Sequence, residues 1–311
     1  MCLEAHLGKN VSCSKRLVDL NPTTTILCPT RGRPRQLGTM ISSALLRAAS
    51  PQDLVFRFYI DLDDRSYDDF PFNQFKCKIF VHHGPRISLS AAFNFLATNS
   101  NTDFLFWSGD DVEFKTDNWE AMLQEPLQRL PDRLGISHAD DLANYSQIYA
   151  TIGMAHKSWF EALGFLFTPH LQDNGIDFWI SNVARCINRL YFVPEVKIDH
   201  LQFRQGKSEE DATYTDRRNA HDLYDIASIY WKLRDQRRRE SLILLRRTNS
   251  KSIPWEFRYF LARLLLFFSA RRLQPSELSN KQIRLISLSN VEILCKFIAK
   301  IIPLFRQRPL S

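Results

Sequence analysis

At 311 residues, with 44% hydrophobic and 12% aromatic residues, the chain has the make-up of a globular protein of one large or two modest domains, not of a disordered one. No 18-residue apolar run offers a spanning helix, and the six cysteines (Cys2, Cys13, Cys28, Cys77, Cys186, Cys295) form no CxxC pair, which argues against a zinc site or disulfide scaffold and fits a reducing, cytoplasmic setting. The net charge of +7 is unevenly spread: residues 225–311 carry 18 Lys+Arg against 6 Asp+Glu, whereas residues 1–224 carry 23 against 28. An acidic front thus precedes a basic rear that suits an anionic partner.

Residues 1–22 lack the apolar run of a signal peptide and read as an N-terminal extension. "TTTILCPTRGRP" predicts a β-branched strand from Thr23 to Cys28 ending in a loop punctuated by Pro and Gly, then a helix from about Pro34 to Ala49. "LVFRFYIDLDD" is a second strand ending in Asp61, Asp63 and Asp64, and "CKIFVHH" a third. "ISLSAAFNFLAT" has helical spacing, with Leu89, Ala92, Phe93 and Leu96 on one face. "DFLFWSGDD" is a fourth strand that runs into Asp110 and Asp111. Further on, "HLQDNGIDFWISNVAR" predicts a helix with Asp173 at its start and Asp177 one turn later on the same face, and "VKIDHLQF" a strand ending at His200. Alternating strands and helices predict an α/β domain over 23–224, its mostly parallel sheet flanked by helices.

Thr30, Arg31, Asp61 and the Asp110–Asp111 pair each follow a strand's last apolar residue. In an open parallel sheet such carboxyl ends share one rim, where ligands bind. The guanidinium fork of Arg31 suits phosphate, while Arg33 and Arg35 read as solvent-facing. Adjacent acids at such a rim suit a metal or phosphate site, with a solvated turn as the plain alternative.

Taken together, "CPTRGRP", "YIDLDD", "SGDDVEF" followed by Trp119, and "KIDHLQFRQGKSEEDATY" resemble family-2-type glycosyltransferases of the GT-A fold, of phage and bacterial kind, over roughly residues 23–224. The run Asp110-Asp111-Val112 departs from a textual D-x-D. The resemblance implies a Rossmann-like GT-A fold and inverting transfer from a nucleotide-diphosphate sugar to the hydroxyl of a glycan, lipid-linked or protein acceptor, with Mn²⁺ or Mg²⁺ as cofactor. It implies Asp111 as metal ligand, completed by His200, with Asp110 beside it for the ribose or an outer role and Glu113 as a substitute. Asp61, with Asp63 and Asp64, would read base and ribose, and Thr30 and Arg31 would meet base or phosphate. Arg86 would contact the diphosphate and Asn94 line the pocket. Asp173 would be the catalytic base, with Asp177 as the alternative. Lys207, in the loop 204–218, would reach a phosphate as a lid orders. Trp159, Phe160 and Trp179 would wall an acceptor site or belong to the core. Two rivals stand beside this reading: a nucleotidyltransferase on a similar sheet, and a non-catalytic module that binds anionic surfaces.

The rear, 225–311, reads as helical and basic. "IPWEFRYFLARLLLFFSARR" (253–272) and "NVEILCKFIAKIIPLFRQR" (290–308) are amphipathic stretches suited to an anionic membrane surface or to packing on the enzyme. No helix-turn-helix, zinc-finger or RNP-like string points to nucleic acid.

Overall fold

The computed structural model describes residues 22–142, 147–201, 229–230 and 232–248. In chain order the strands and helices are β1 (Thr24–Thr30), α1 (Pro34–Arg47), β2 (Leu54–Asp61), β3 (Lys78–Gly84), α2 (Leu89–Thr98), β4 (Phe104–Trp107), β5 (Val112–Phe114) and α3 (Trp119–Gln128). They continue with β6 (Ile136–Asp140), β7 (Gly153–His156), α4 (Lys157–Leu163), α5 (Ile176–Cys186), β8 (Leu190–His200) and α6 (Arg234–Arg247). The eight strands form one sheet in the order β3-β2-β1-β4-β7-β6-β8-β5. β1 pairs in parallel with β2 and β4, β2 with β3, and β6 with β8, while β7 is antiparallel to both its neighbours and β5 to β8. The chain is therefore an α/β protein with a mixed, mostly parallel sheet flanked by helices.

The period of two along each strand builds a core on either face. Ile26, Phe56, Phe104 and Met154 pack with Leu37, Met40 and Ile41 of α1 and with Trp119 and Leu123 of α3. Leu27, Leu105, Trp107 and Ala155 face the other way, onto Phe93 of α2, Trp159 of α4 and Trp179 of α5. The buried Thr24 and Thr25 hydroxyls of β1 are both bonded, to the Gln124 amide at 2.9 Å and to Thr102 at 2.7 Å. A buried strand tolerates hydroxyls only on that condition. Trp119 donates its indole N–H to the Ala44 carbonyl at 3.0 Å, stitching α3 to α1.

Helix starts follow local chemistry. α1 opens with Pro34, whose fixed φ suits the first helical position, directly after Gly32 at φ +68° and Arg33. α2 is capped by Ser88, which accepts from Ala91 N–H at 3.3 Å. α5 opens after Gly175 at φ +82°.

α6 lies in the basic rear of the sequence yet packs on the front: buried Leu244 joins the core that holds Trp159 and Trp179. Glu240, 2% exposed, accepts from the Trp179 indole N–H at 2.6 Å and from Gln236 at 3.2 Å. Burial pushes the Glu240 carboxyl up, and these bonds pull it back. The guanidinium of Arg237 lies over the rings of Tyr230 and Trp179. The outer side of α6 leaves Arg238, Arg239, Arg246 and Arg247 exposed. Among the described residues no helix is long and apolar enough to cross a membrane.

Candidate active site

Because β6 and β8 run in the direction of β1, β2 and β4, all five carboxyl ends meet on one rim. Thr30 ends β1, Asp61 ends β2, and His200 ends β8; Asp110 and Asp111 fill the turn between β4 and β5. The turn is fixed by β8: Leu201 N–H donates to the Asp111 carbonyl at 2.8 Å, and Val112 pairs with His200. His200 N–H in turn donates to the Asp141 carbonyl at 3.3 Å. Asp141, 3% exposed, thus sits on the same rim, a residue the sequence reading missed although it follows the strand "ISHAD" just as Asp110 follows its own.

The acids are held by a buried arginine. Arg33 Nη1 lies 3.0 Å from Asp110 Oδ1 and 3.3 Å from Asp111 Oδ2. Exposures of 6%, 5% and 7% for Arg33, Asp110 and Asp111 make this a desolvated cluster. Thr30 donates its hydroxyl proton to Asp110 Oδ2 at 2.6 Å, so the Tyr67 hydroxyl, 2.5 Å away, donates to Thr30. Tyr67 accepts in turn from Arg33 N–H at 3.0 Å, closing a chain from the β1 loop to the acid pair. Burial and the adjacent Asp111 charge raise the Asp110 pKa, while Arg33 and Thr30 oppose the rise. The expectation of a solvent-facing Arg33 is overturned: the left-handed turn at Gly32 and the helix start at Pro34 carry its side chain under the rim. Arg35 is exposed.

Asp111 Oδ1, its second oxygen, stands 3.3 Å from His200 Nε2. Gly109 makes room for it, since a Cβ there would meet Asp111 Oδ1 at 2.6 Å. A carboxylate and an imidazole suit a divalent ion, and adjacent ligands of an octahedral ion bound at about 2.1 Å lie about 3 Å apart. Among the described residues no group of three or more His, Cys, Asp or Glu is placed to hold a metal. Asp111 and His200 thus fit an ion that takes its other ligands from phosphate and water.

The loops after β1 and β2 are zipped together. Arg31 Nη1 contacts Asp61 Oδ2 at 2.9 Å and Asp63 Oδ1 at 2.6 Å, and its Nη2 contacts Asp63 Oδ2 at 2.8 Å. Gly32 N–H donates to Asp64 Oδ2 at 2.7 Å. The hydrogen bonds to Asp63 lead in raising the Arg31 pKa, and Arg31 lowers that of Asp63. Arg86 is exposed between β3 and α2, within the electrostatic reach of Asp63. Glu113, on β5, pairs with Lys115 at 2.7 Å.

Asp173 and Asp177 do not share a helical face, because Gly175 resets the start of α5. Asp173 lies before the helix and accepts from Leu89 N–H at 2.9 Å, tying down the N-terminus of α2. Asp177 is in the first turn of α5, where it accepts from Phe178 N–H at 2.7 Å. Burial pushes its carboxyl up, and His200 is among the groups that pull it back. Asp177 thus feels the charge of His200, while Asp173 is bonded to the start of α2. The Asn94 amide is taken up by the chain at 166–167, donating to Phe167 O at 2.7 Å and accepting from Leu166 and Phe167 N–H at 2.9 Å. Trp159 and Trp179, each 1% exposed, are core residues and not a wall open to an acceptor; Phe160 is half-buried. Lys207 and the stretches at 253–272 and 290–308 lie outside the described residues.

No family model matches the chain, and no curated protein does. Among solved structures it is similar to GalNAc-T7 with UDP, GalNAc and Mn²⁺, at a TM-score of 0.48 and 15% identity over 58% of this chain and 44% of that one. It is similar to S. aureus TarS 1-349 in complex with UDP (0.44, 11% identity, 57% of this chain and 59% of that one). It is also similar to the mannosyltransferase PcManGT from Pyrobaculum calidifontis in complex with GDP-Man and Mn²⁺ (0.49, 11% identity, 87% of each chain). The chain spans less than half the length of GalNAc-T7. Likenesses of this size assign neither a family nor an activity.

Proposed function

We propose that the chain is a GT-A-type glycosyltransferase that moves a sugar from a nucleotide-diphosphate donor to an acceptor hydroxyl, with inversion and with a divalent ion at Asp111 and His200. The observation that carries this is the convergence, on one strand-end rim, of a buried acid pair, a histidine 3.3 Å from it, and an arginine–aspartate zip beside it. A bound ion would offset the negative charge of the departing diphosphate.

The chain's own residues do the rest. Asp61 and Asp63 receive ribose and base at the β2 end, and Arg31 turns its fork from Asp63 toward phosphate as the donor enters; Arg86 follows from the facing loop. Of the two candidate bases, Asp177 is favoured over Asp173, because burial pushes its carboxyl up while Asp173 accepts from the start of α2. A carboxylate so tuned is better matched to taking a hydroxyl proton near neutral pH. The basic rear is assigned to holding the enzyme on an anionic surface close to its acceptor.

The test is a panel of UDP- and GDP-sugars incubated with the full chain, with Mn²⁺ or with EDTA. Release of nucleoside diphosphate that requires Mn²⁺ supports the reading. Release of pyrophosphate from a nucleoside triphosphate and sugar phosphate would favour the nucleotidyltransferase, and no turnover across the panel would favour a binding module.

A further inference from the structure

Arg33 is not a bystander of the acid pair. Its Nη1 reaches both Asp110 and Asp111, and its backbone N–H is fixed by Tyr67, which also orders Thr30 against Asp110. Tyr67 is itself 3% exposed and set edge-on to Phe70, so the residue that pins Arg33 is packed into the core. Two neighbouring carboxylates in a desolvated turn repel, and burial of both without a cation is costly. Each oxygen of Asp110 already accepts one strong bond, from Thr30 or from Arg33. Asp111 alone also turns an oxygen to His200.

We propose that Arg33 is a built-in cation of the Asp110–Asp111 pair, and that a divalent ion binding at Asp111 and His200 binds against its charge. The inference rests on the metal part of the reading above and adds what sets the ion's affinity. Asp110 then acts as the partner of Arg33 and not as a ligand. A full positive charge within a few ångströms of a divalent ion, at the effective dielectric of a buried rim, is ample to change affinity tenfold. The device keeps the site weak for metal alone; a diphosphate, bringing its own negative charge, restores the balance.

The experiment titrates Mn²⁺ into the full chain by calorimetry, without and then with UDP or GDP. Arg33→Gln is expected to bind Mn²⁺ at least about tenfold more tightly than wild type in the absence of nucleotide. Arg33→Lys keeps the charge and is expected to stay within about threefold. The double variant Arg33→Gln/Asp110→Asn removes both charges of a buried pair, a change that folds tolerate, and is expected to return near wild type. A merely structural arginine predicts the reverse, with Mn²⁺ bound more weakly in Arg33→Gln. Equal or weaker binding in that variant, or a double variant more than tenfold from wild type, overturns the inference. Where wild type binds Mn²⁺ with nucleotide and Arg33→Gln is no tighter, only the role of Arg33 fails. Absence of Mn²⁺ binding in wild type and variants, even with UDP or GDP, overturns the metal reading along with it.

Discussion

Gly109 and Asp177 show how single residues set this site. The space that a Cβ would fill at Gly109 is occupied by Asp111 Oδ1. Gly109→Ala therefore forces that carboxylate aside without touching the core, and metal-dependent nucleotide binding should weaken at least about tenfold while the thermal midpoint moves little. Asp177 couples stability to pH. Its folded pKa is raised, so folding favours the protonated acid; the associated stability is present at low pH and is lost as pH rises through the folded value. Asp177→Asn should thus keep or gain stability at neutral pH, yet lose transfer by roughly 10²–10⁴-fold. Transfer by wild type should rise with pH along a limb displaced above the ordinary carboxylate range, and that limb should vanish in the variant. Asp173→Ala should instead cost about 1 kcal/mol, as loss of the bond to the α2 terminus does. If Asp173→Ala loses transfer on the 10²–10⁴ scale and Asp177→Asn does not, the base is Asp173. Arg33 was illegible for a physical reason: in "TRGRP" the two arginines look alike until the handedness of the turn at Gly32 decides which one goes inward.

At the scale of elements, the sequence was readable where a period of two or 3.6 runs long enough. β1, β2, β3, α1 and α2 fall where alternation, Pro34 and the spacing of Leu89, Ala92, Phe93 and Leu96 put them. β5 and β7 were not readable, because they are three and four residues long and β7 is buried on both faces. The start of α5 was misplaced because Asp173 is a good cap by type, but it caps α2, 84 residues away in sequence. α6 is the other element that composition disguised. Its charge reads as solvated, yet Glu240 and Arg237 fasten it to Trp179. Glu240→Ala would leave a buried indole N–H without its acceptor and is expected to cost about 1–3 kcal/mol in urea denaturation, with Glu240→Gln costing less than half of that. Equal costs for the two variants would show that the hydrogen bond is not what docks α6.

For the molecule as a whole, the division into an acidic front and a basic rear was visible in composition alone, while the chemistry of the rim was visible only as acids following strands. What joined those acids to Arg33 and His200 is contact across 77 to 89 residues of sequence, which no local pattern carries. Basic residues near an anionic bilayer contribute on the order of 1 kcal/mol each, so the rear should pellet the full chain with anionic vesicles at low salt and release it at high salt. A chain ending near residue 250 keeps α6 and should stay in the supernatant. Equal pelleting of both would remove the membrane from the account. The central claim, that the rim holds a nucleotide diphosphate through a divalent ion on Asp111, is tested most directly by calorimetric titration of UDP and GDP into wild type and Asp111→Asn, each with Mn²⁺ and with EDTA. Wild type should bind one of the two only with Mn²⁺, and Asp111→Asn should lose that binding. Nucleotide binding of unchanged strength in EDTA, or in Asp111→Asn with Mn²⁺, would contradict it.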